Sequence, residues 1–284
     1  MKKQIQTLSI LLIFLIGLSL LLYPTFSDYW NTLNQTKAII SYSEAVNEID
    51  TTVYDEMMAK ARSYNEALAI SGVNWEMTEE EEEDYNQTLN VTDTGIMAYI
   101  EISKIACTLP IHHGISEPVL QKAVGHLLGS SLPIGGESTH SVLSAHRGLP
   151  SAKLFTDLDK MVVGDQFLIR TMNEVLTYEV DQILIVEPTD LSSLLIESGK
   201  DFCTLVTCTP YGINTHRLLV RGHRVETVIE DTKSIRVVAD AIQISSYILA
   251  AVLAIAMLIL IMIGVVIIDA VKKIKHRKTT SSQR

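Results

Sequence analysis

The 284 residues are 47% hydrophobic, 20% charged and 6% aromatic, with a mean hydropathy of +0.24, which excludes a disordered, collagen-like or low-complexity chain. Lys and Arg number 23 against 33 Asp and Glu, a net charge of −10 that argues against a broad electrostatic grip on nucleic acid phosphates. Three cysteines cannot build a disulfide framework.

Apolar residues are concentrated at the two ends. After Lys2 and Lys3 no charge occurs until Asp28, and residues 8–22 are dominated by Leu and Ile. The following Tyr23-Pro24-Thr25-Phe26-Ser27 is a poor small-residue cleavage site, so residues 1–27 read as an uncleaved membrane anchor rather than a removed signal. Residues 241–268 also carry no charge, and Lys272, Lys273, Lys275, Arg277 and Lys278 follow them. At ~1.5 Å per residue this stretch covers a ~30 Å hydrocarbon core. It predicts a transmembrane helix over residues 245–270, preceded by a juxtamembrane segment at 227–244 and followed by a basic tail at 271–284. Basic residues flank the outer end of each apolar segment, so both termini are expected in the cytoplasm, with the working region outside the cell membrane.

Residues 28–95 read as a helical extension. Between residues 42 and 68 there is no Gly or Pro, and Tyr42, Val46, Ile49, Val53, Met57, Ala61, Tyr64 and Leu68 recur at helical spacing until Gly72. Six consecutive acids at residues 79–84 predict a solvated loop; a calcium loop would need alternating ligands and a turn glycine.

From residue 96 the pattern changes to short β-rich runs at 97–102, 141–145, 166–171, 176–186, 203–208 and 217–225, separated by turn residues such as Gly114, Pro133, Gly164 and Gly212. Residues 96–226 are therefore expected to form a mainly β domain, a closed or nearly closed barrel. His112-His113 beside Pro110 reads as part of an edge strand.

Chemistry concentrates in Thr204-Leu205-Val206-Thr207-Cys208, followed by a turn-rich loop and then Arg217-Leu218-Leu219-Val220-Arg221. Strand alternation sends Cys208 and Arg217 from the ends of two flanking strands. Upstream, Ser144-Ala145-His146-Arg147-Gly148 also reads as a small apolar strand that ends in a histidine, with a glycine turn after it. If these strands are neighbours, a thiol, an imidazole and a guanidinium converge, as covalent catalysis by cysteine requires. His146 and Arg217 would favour the thiolate, the imidazolium would protonate a departing amine, and the guanidinium would steady an oxyanion.

Thr-Leu-Val-Thr-Cys resembles the T-L-x-T-C signature of the sortases, and the order His146, Cys208, Arg217 matches that family. The longer run Cys-Thr-Pro-Tyr-Gly-Ile-Asn-Thr-His-Arg-Leu-Leu-Val-Arg-Gly is similar to class C, the pilin-polymerising sortases. The resemblance implies a sortase-type barrel of about eight strands, no cofactor, and a transpeptidase whose partners are pilin or surface proteins bearing LPXTG-like sorting signals. Cys208 would attack the Thr-Gly bond, and a lysine of another pilin subunit would resolve the thioester. Class C sortases carry a lid loop in which an Asp-Pro-aromatic motif plugs the active site. This chain has no Asp-Pro pair, which argues against a lid of that kind; residues 71–94, with Trp75 and the acidic run, occupy its position.

Other readings are weaker. Cys203, Cys208, His216 and His223 offer zinc-ligand types without a zinc-ligand spacing. A papain-like protease places its cysteine before its histidine. His140, His216 and His223 compete with His146 as the partner histidine, and Cys107 and Cys203 read as core residues. Two further alternatives keep the fold: a sortase that anchors surface proteins to cell-wall peptide, and a catalytically silent membrane-tethered binding module.

Overall fold

The computed structural model describes residues 2–227 and the separate positions 255, 256 and 259. Within residues 2–227, four helices, α1 (Lys2–Glu48), α2 (Thr51–Ser71), α3 (Glu79–Gln87) and α4 (Glu117–Leu120), accompany eight strands. The strands are β1 (Ile96–Ile102), β2 (Cys107–His113), β3 (Val124–His126), β4 (Thr139–Ser144), β5 (Gln166–Thr171), β6 (Glu174–Val186), β7 (Asp201–Thr209) and β8 (His216–Val225). Apart from residues 227, 255, 256 and 259, the expected juxtamembrane segment, C-terminal membrane helix and basic tail lie outside the described residues.

Alternation of apolar side chains closes the strands into a barrel of order β1-β2-β3-β4-β7-β8-β6-β5. Neighbours are antiparallel except β2 with β3 and β4 with β7. Ile100, Ile111, Leu143, Phe167, Ile169, Cys203, Leu205 and Val220, all buried, belong to the core. Removing such side chains from water at about 25 cal/mol per Å² is the main source of stability.

The apolar part of α1 gives a helix long and apolar enough to cross a membrane, with Leu12, Ile13, Leu20 and Leu21 exposed as lipid-facing residues would be. Farther along, α1 lays Ile39, Tyr42 and Val46 onto the core. The Tyr42 hydroxyl donates to the Met97 carbonyl at 2.8 Å and accepts from the Met172 amide at 2.9 Å, tying the helix to β1 and to the turn between β5 and β6.

Three expectations require correction. The single helix expected over residues 42–68 is two, because Asp50 takes extended backbone and its carboxylate accepts from the Thr52 amide at 2.8 Å as the N-cap of α2. A capping aspartate here outweighs apolar periodicity. The helix stop at Gly72, with φ +82°, is where glycine was expected to provide it.

The acidic run is not a loop but α3. Thr78 and Glu81 form a reciprocal capping box, the acids of the first turn complement the helix N-terminus, and Tyr85 is buried. Finally, His112-His113 is not on an edge. β2 pairs with β1, where Pro110 opposes Tyr99, and with β3 on its other side. Three-residue β3, too short for alternation to show, covers that edge.

Candidate active site

β7 and β8 present Cys208 directly opposite Arg217, with Val206 opposite Leu219 on the same face. Alternation sends Cys203, Leu205 and Thr207 inward, where all are buried, and leaves Cys208 half-buried on the outer side. That alternation also parts Cys203 from Cys208, which removes the zinc arrangement considered above. Burial pushes the Cys107 thiol up to about 12 and raises Cys203 well above its ordinary range, so both remain protonated in the core. All three cysteines are free thiols.

The parallel strand β4 runs beside β7 with Ser144 opposite Val206. Beyond its end, the Ala145 amide donates to the Val206 carbonyl at 3.1 Å, and Thr207 Oγ1 donates to the Ala145 carbonyl at 2.8 Å. These two bonds carry the chain alongside the last residues of β7, so that His146 leaves the sheet beside Cys208. Its Nε2 lies 3.3 Å from both carboxylate oxygens of Glu117. Hydrogen bonds from Gln121 and then from His146 hold the Glu117 carboxyl below the ordinary carboxylate range.

The competing histidines are engaged elsewhere. His140 is buried, with Nδ1 2.8 Å from the Leu195 carbonyl and Nε2 2.7 Å from Thr204 Oγ1. Exposed His216 meets Thr215 Oγ1 at 2.9 Å, and His223 opposes Phe202, near the far end of β7.

Arg217 is held by the loop it follows, Nη1 donating to the carbonyls of Asn214 at 3.3 Å and His216 at 3.1 Å. Beneath it runs a cavity of about 300 Å³ whose lining includes Ser144, Val186, Leu191, Leu194, Val206 and Arg217. Its apolar floor is a cluster of Val142, Leu194, Val206 and Leu219, against which Trp75 packs. The Asn74 amide donates to the Gly129 carbonyl at 3.1 Å, and a Cβ on Gly129 would come within 1.8 Å of the Asn74 carbonyl oxygen. Residue 129 must therefore be glycine for the Trp75 segment to sit where it does.

Sequence reasoning brought His146, Cys208 and Arg217 to one end of the barrel but missed Glu117, which stands in an unremarkable Ser-Glu-Pro turn. An apolar groove lined in part by Arg217, with a half-buried thiol paired opposite that arginine and a histidine at the exit of the neighbouring strand, can bind an extended peptide and transfer its acyl group.

The sortase-domain family profile matches residues 100–225. The chain is similar to the crystal structure of sortase C1 from Streptococcus agalactiae, with 55% identity and a TM-score of 0.66, covering 68% of this chain and 100% of that one. The pilus-related sortase C of Group B Streptococcus has 42% identity and a TM-score of 0.58, over 64% of this chain and 94% of that one. Sortase D of Bacillus subtilis is 33% identical over 129 residues, 44% of this chain and 62% of that protein's length. With a whole solved sortase C aligned at that identity, and the family profile running from within β1 to the end of β8, the chain belongs to the sortases, a family of cysteine transpeptidases.

Proposed function

We propose that this protein is a membrane-anchored sortase that polymerises pilins: it cleaves an LPXTG-like signal between Thr and Gly and joins the Thr carbonyl to a lysine amine of another subunit. The observation that carries this reading is the direct pairing of Cys208 with Arg217 across β7 and β8, beside the exit of β4 that bears His146. The sorting signal lies in the apolar groove over Val206 and Leu219. The Cys208 thiolate attacks the Thr carbonyl carbon, and Arg217 steadies the oxyanion that forms. As the C–N bond breaks, the His146 imidazolium gives its proton to the departing glycine amine. The acceptor amine then attacks the thioester, returning a proton to His146 and releasing the Cys208 thiolate.

A second reading concerns Trp75. Its packing on the groove floor supports a plug over the peptide site, achieved without an Asp-Pro pair. Both termini lie in the cytoplasm, with a span at each end and the barrel outside, where exported substrates are themselves membrane-held; such tethering raises their effective concentration.

The test is intact-mass analysis of the full-length protein in detergent, incubated with an LPXTG-type peptide. An adduct of the peptide less its leaving fragment, absent from Cys208→Ala, supports acyl transfer. A lysine-bearing pilin fragment and a cell-wall amine, supplied in competition, identify the acceptor. Absence of any adduct across several peptides would leave a silent binding module.

A further inference from the structure

Glu117 and His146 stand 29 residues apart in the chain and meet through both carboxylate oxygens. What joins them is Gly125 in β3. Gly125 pairs with Ser144, two residues before His146. It also receives the turn that carries Glu117: a Cβ at Gly125 would stand 2.4 Å from the Gly114 carbonyl oxygen, 3.1 Å from Leu120 Cδ2 and 3.2 Å from Ile115 Cα. One strand position thus sets the place of both partners.

Each partner is braced separately. Glu117 opens α4, with Pro118 in its first turn, and Gln121 Nε2 donates to Glu117 Oε1 at 3.1 Å. The His146 carbonyl accepts from the Phe155 amide at 3.2 Å. The next side chain, Arg147, is ion-paired to Asp159. The His146 ring keeps only 26% of its surface exposed, so it has little room to turn away.

A carboxylate can only accept a hydrogen bond, so the proton between these groups belongs to Nε2. In the neutral ring the lone pair then falls on Nδ1. We propose that Glu117 is a positioning residue for His146: it holds the Nε2–H tautomer and makes Nδ1 the nitrogen that exchanges protons with Cys208 and with the departing amine. This rests on the catalytic reading of Cys208 and His146 given above.

The protons balance. In the acylation step the Nδ1 proton moves to the glycine nitrogen as the C–N bond breaks, while the Nε2 proton stays in its bond to Glu117. When the acceptor amine attacks the thioester, its proton goes to Nδ1. Glu117 remains ionised throughout, as does the buried carboxylate of a Ser-His-Asp triad.

Two readouts on the full-length protein in detergent test this. With histidine-selective ¹⁵N labelling, the resonances lost in His146→Gln should report a ring protonated at Nε2 in the wild type, and a shift toward Nδ1–H in Glu117→Ala. In single-turnover cleavage of an LPXTG-type peptide, Glu117→Ala should lower the rate of the acylation step about tenfold, the lower end of what losing the orienting partner of a metal-bound histidine costs, with KM within twofold. Glu117→Gln, whose amide oxygen still accepts from Nε2–H, should recover part of that loss. An unchanged tautomer in Glu117→Ala overturns the proposal. So does a raised KM at unchanged kcat, which would make Glu117 a peptide contact. If the wild type forms no thioester with any peptide, the catalytic reading fails instead, and the spectrum still decides whether Glu117 holds the ring.

Discussion

The ring of Tyr211 lies against the backbone of Gly148 so closely that a Cβ there would stand 2.9 Å from Tyr211 Cε2. The Arg147 guanidinium lies 5.6 Å from the centre of the same ring. Tyr211 belongs to the loop between Cys208 and Arg217, whereas Arg147 and Gly148 follow His146. The contact therefore clasps the segment bearing the histidine to the loop that joins the strands bearing the other two groups, and the Asn214 carbonyl of that loop holds Arg217.

Tyr211→Ala should loosen this clasp. The ring is 60% exposed, so the stability cost is expected to be about 1 kcal/mol or less, the scale of an exposed cation–π contact. Acyl transfer should fall roughly tenfold through lost positioning. Thermal melting compared with steady-state kinetics checks the separation; equal loss in both would mean that Tyr211 serves the fold alone.

Cys208→Ala should abolish the thioester while leaving the melting temperature nearly unchanged, since it removes one half-buried sulfur at a strand end. Arg217→Lys should also fail, because a single ammonium cannot both bond the Asn214 and His216 carbonyls and face an oxyanion. Turnover near wild type in Arg217→Lys would show that charge alone suffices.

Trp75→Ala should open the groove. Alkylation of Cys208 by a small thiol reagent is expected to accelerate several-fold, and KM for a sorting peptide to fall. Unchanged alkylation and KM would mean that the packing of Trp75 on the cluster of Val142, Leu194, Val206 and Leu219 only supports the core.

Acid should destabilise the barrel from within. Burial holds His126 down at about 4 and His112 at about 4, against roughly 6.5 in an unfolded chain. Below pH ~6.5 the unfolded chain binds protons that the folded one refuses, so stability present above that pH drains away as pH falls toward 4. Each group contributes up to about 3 kcal/mol to this loss. His126 Nδ1 lies 2.9 Å from the Tyr85 hydroxyl and Nε2 2.8 Å from the Ser131 carbonyl. His126→Gln should therefore flatten the dependence of melting temperature on pH between 7.5 and 4.5, at the cost of a lower melting point at pH 7.5.

Most strands, the barrel class, the apolar N-terminal helix and the family were legible in the chain, because each is written in local order; three-residue β3 was not. Alternation specifies which face of β7 carries Cys208, and a short motif surrounds the thiol. Competition between local signals was less legible: at Asp50 a single capping bond divides one periodic helix into two, and at Thr78 a capping box turns a run of like charges into a helix. Contacts across long sequence separation were decided by the tertiary structure alone. Glu117 meets His146, and Trp75 packs against the cluster of Val142, Leu194, Val206 and Leu219, because close approaches at Gly125 and Gly129 bring separate turns onto the same sheet. A glycine in a sequence marks freedom of the backbone; which neighbour fills the space left by its missing side chain is settled only when the barrel closes.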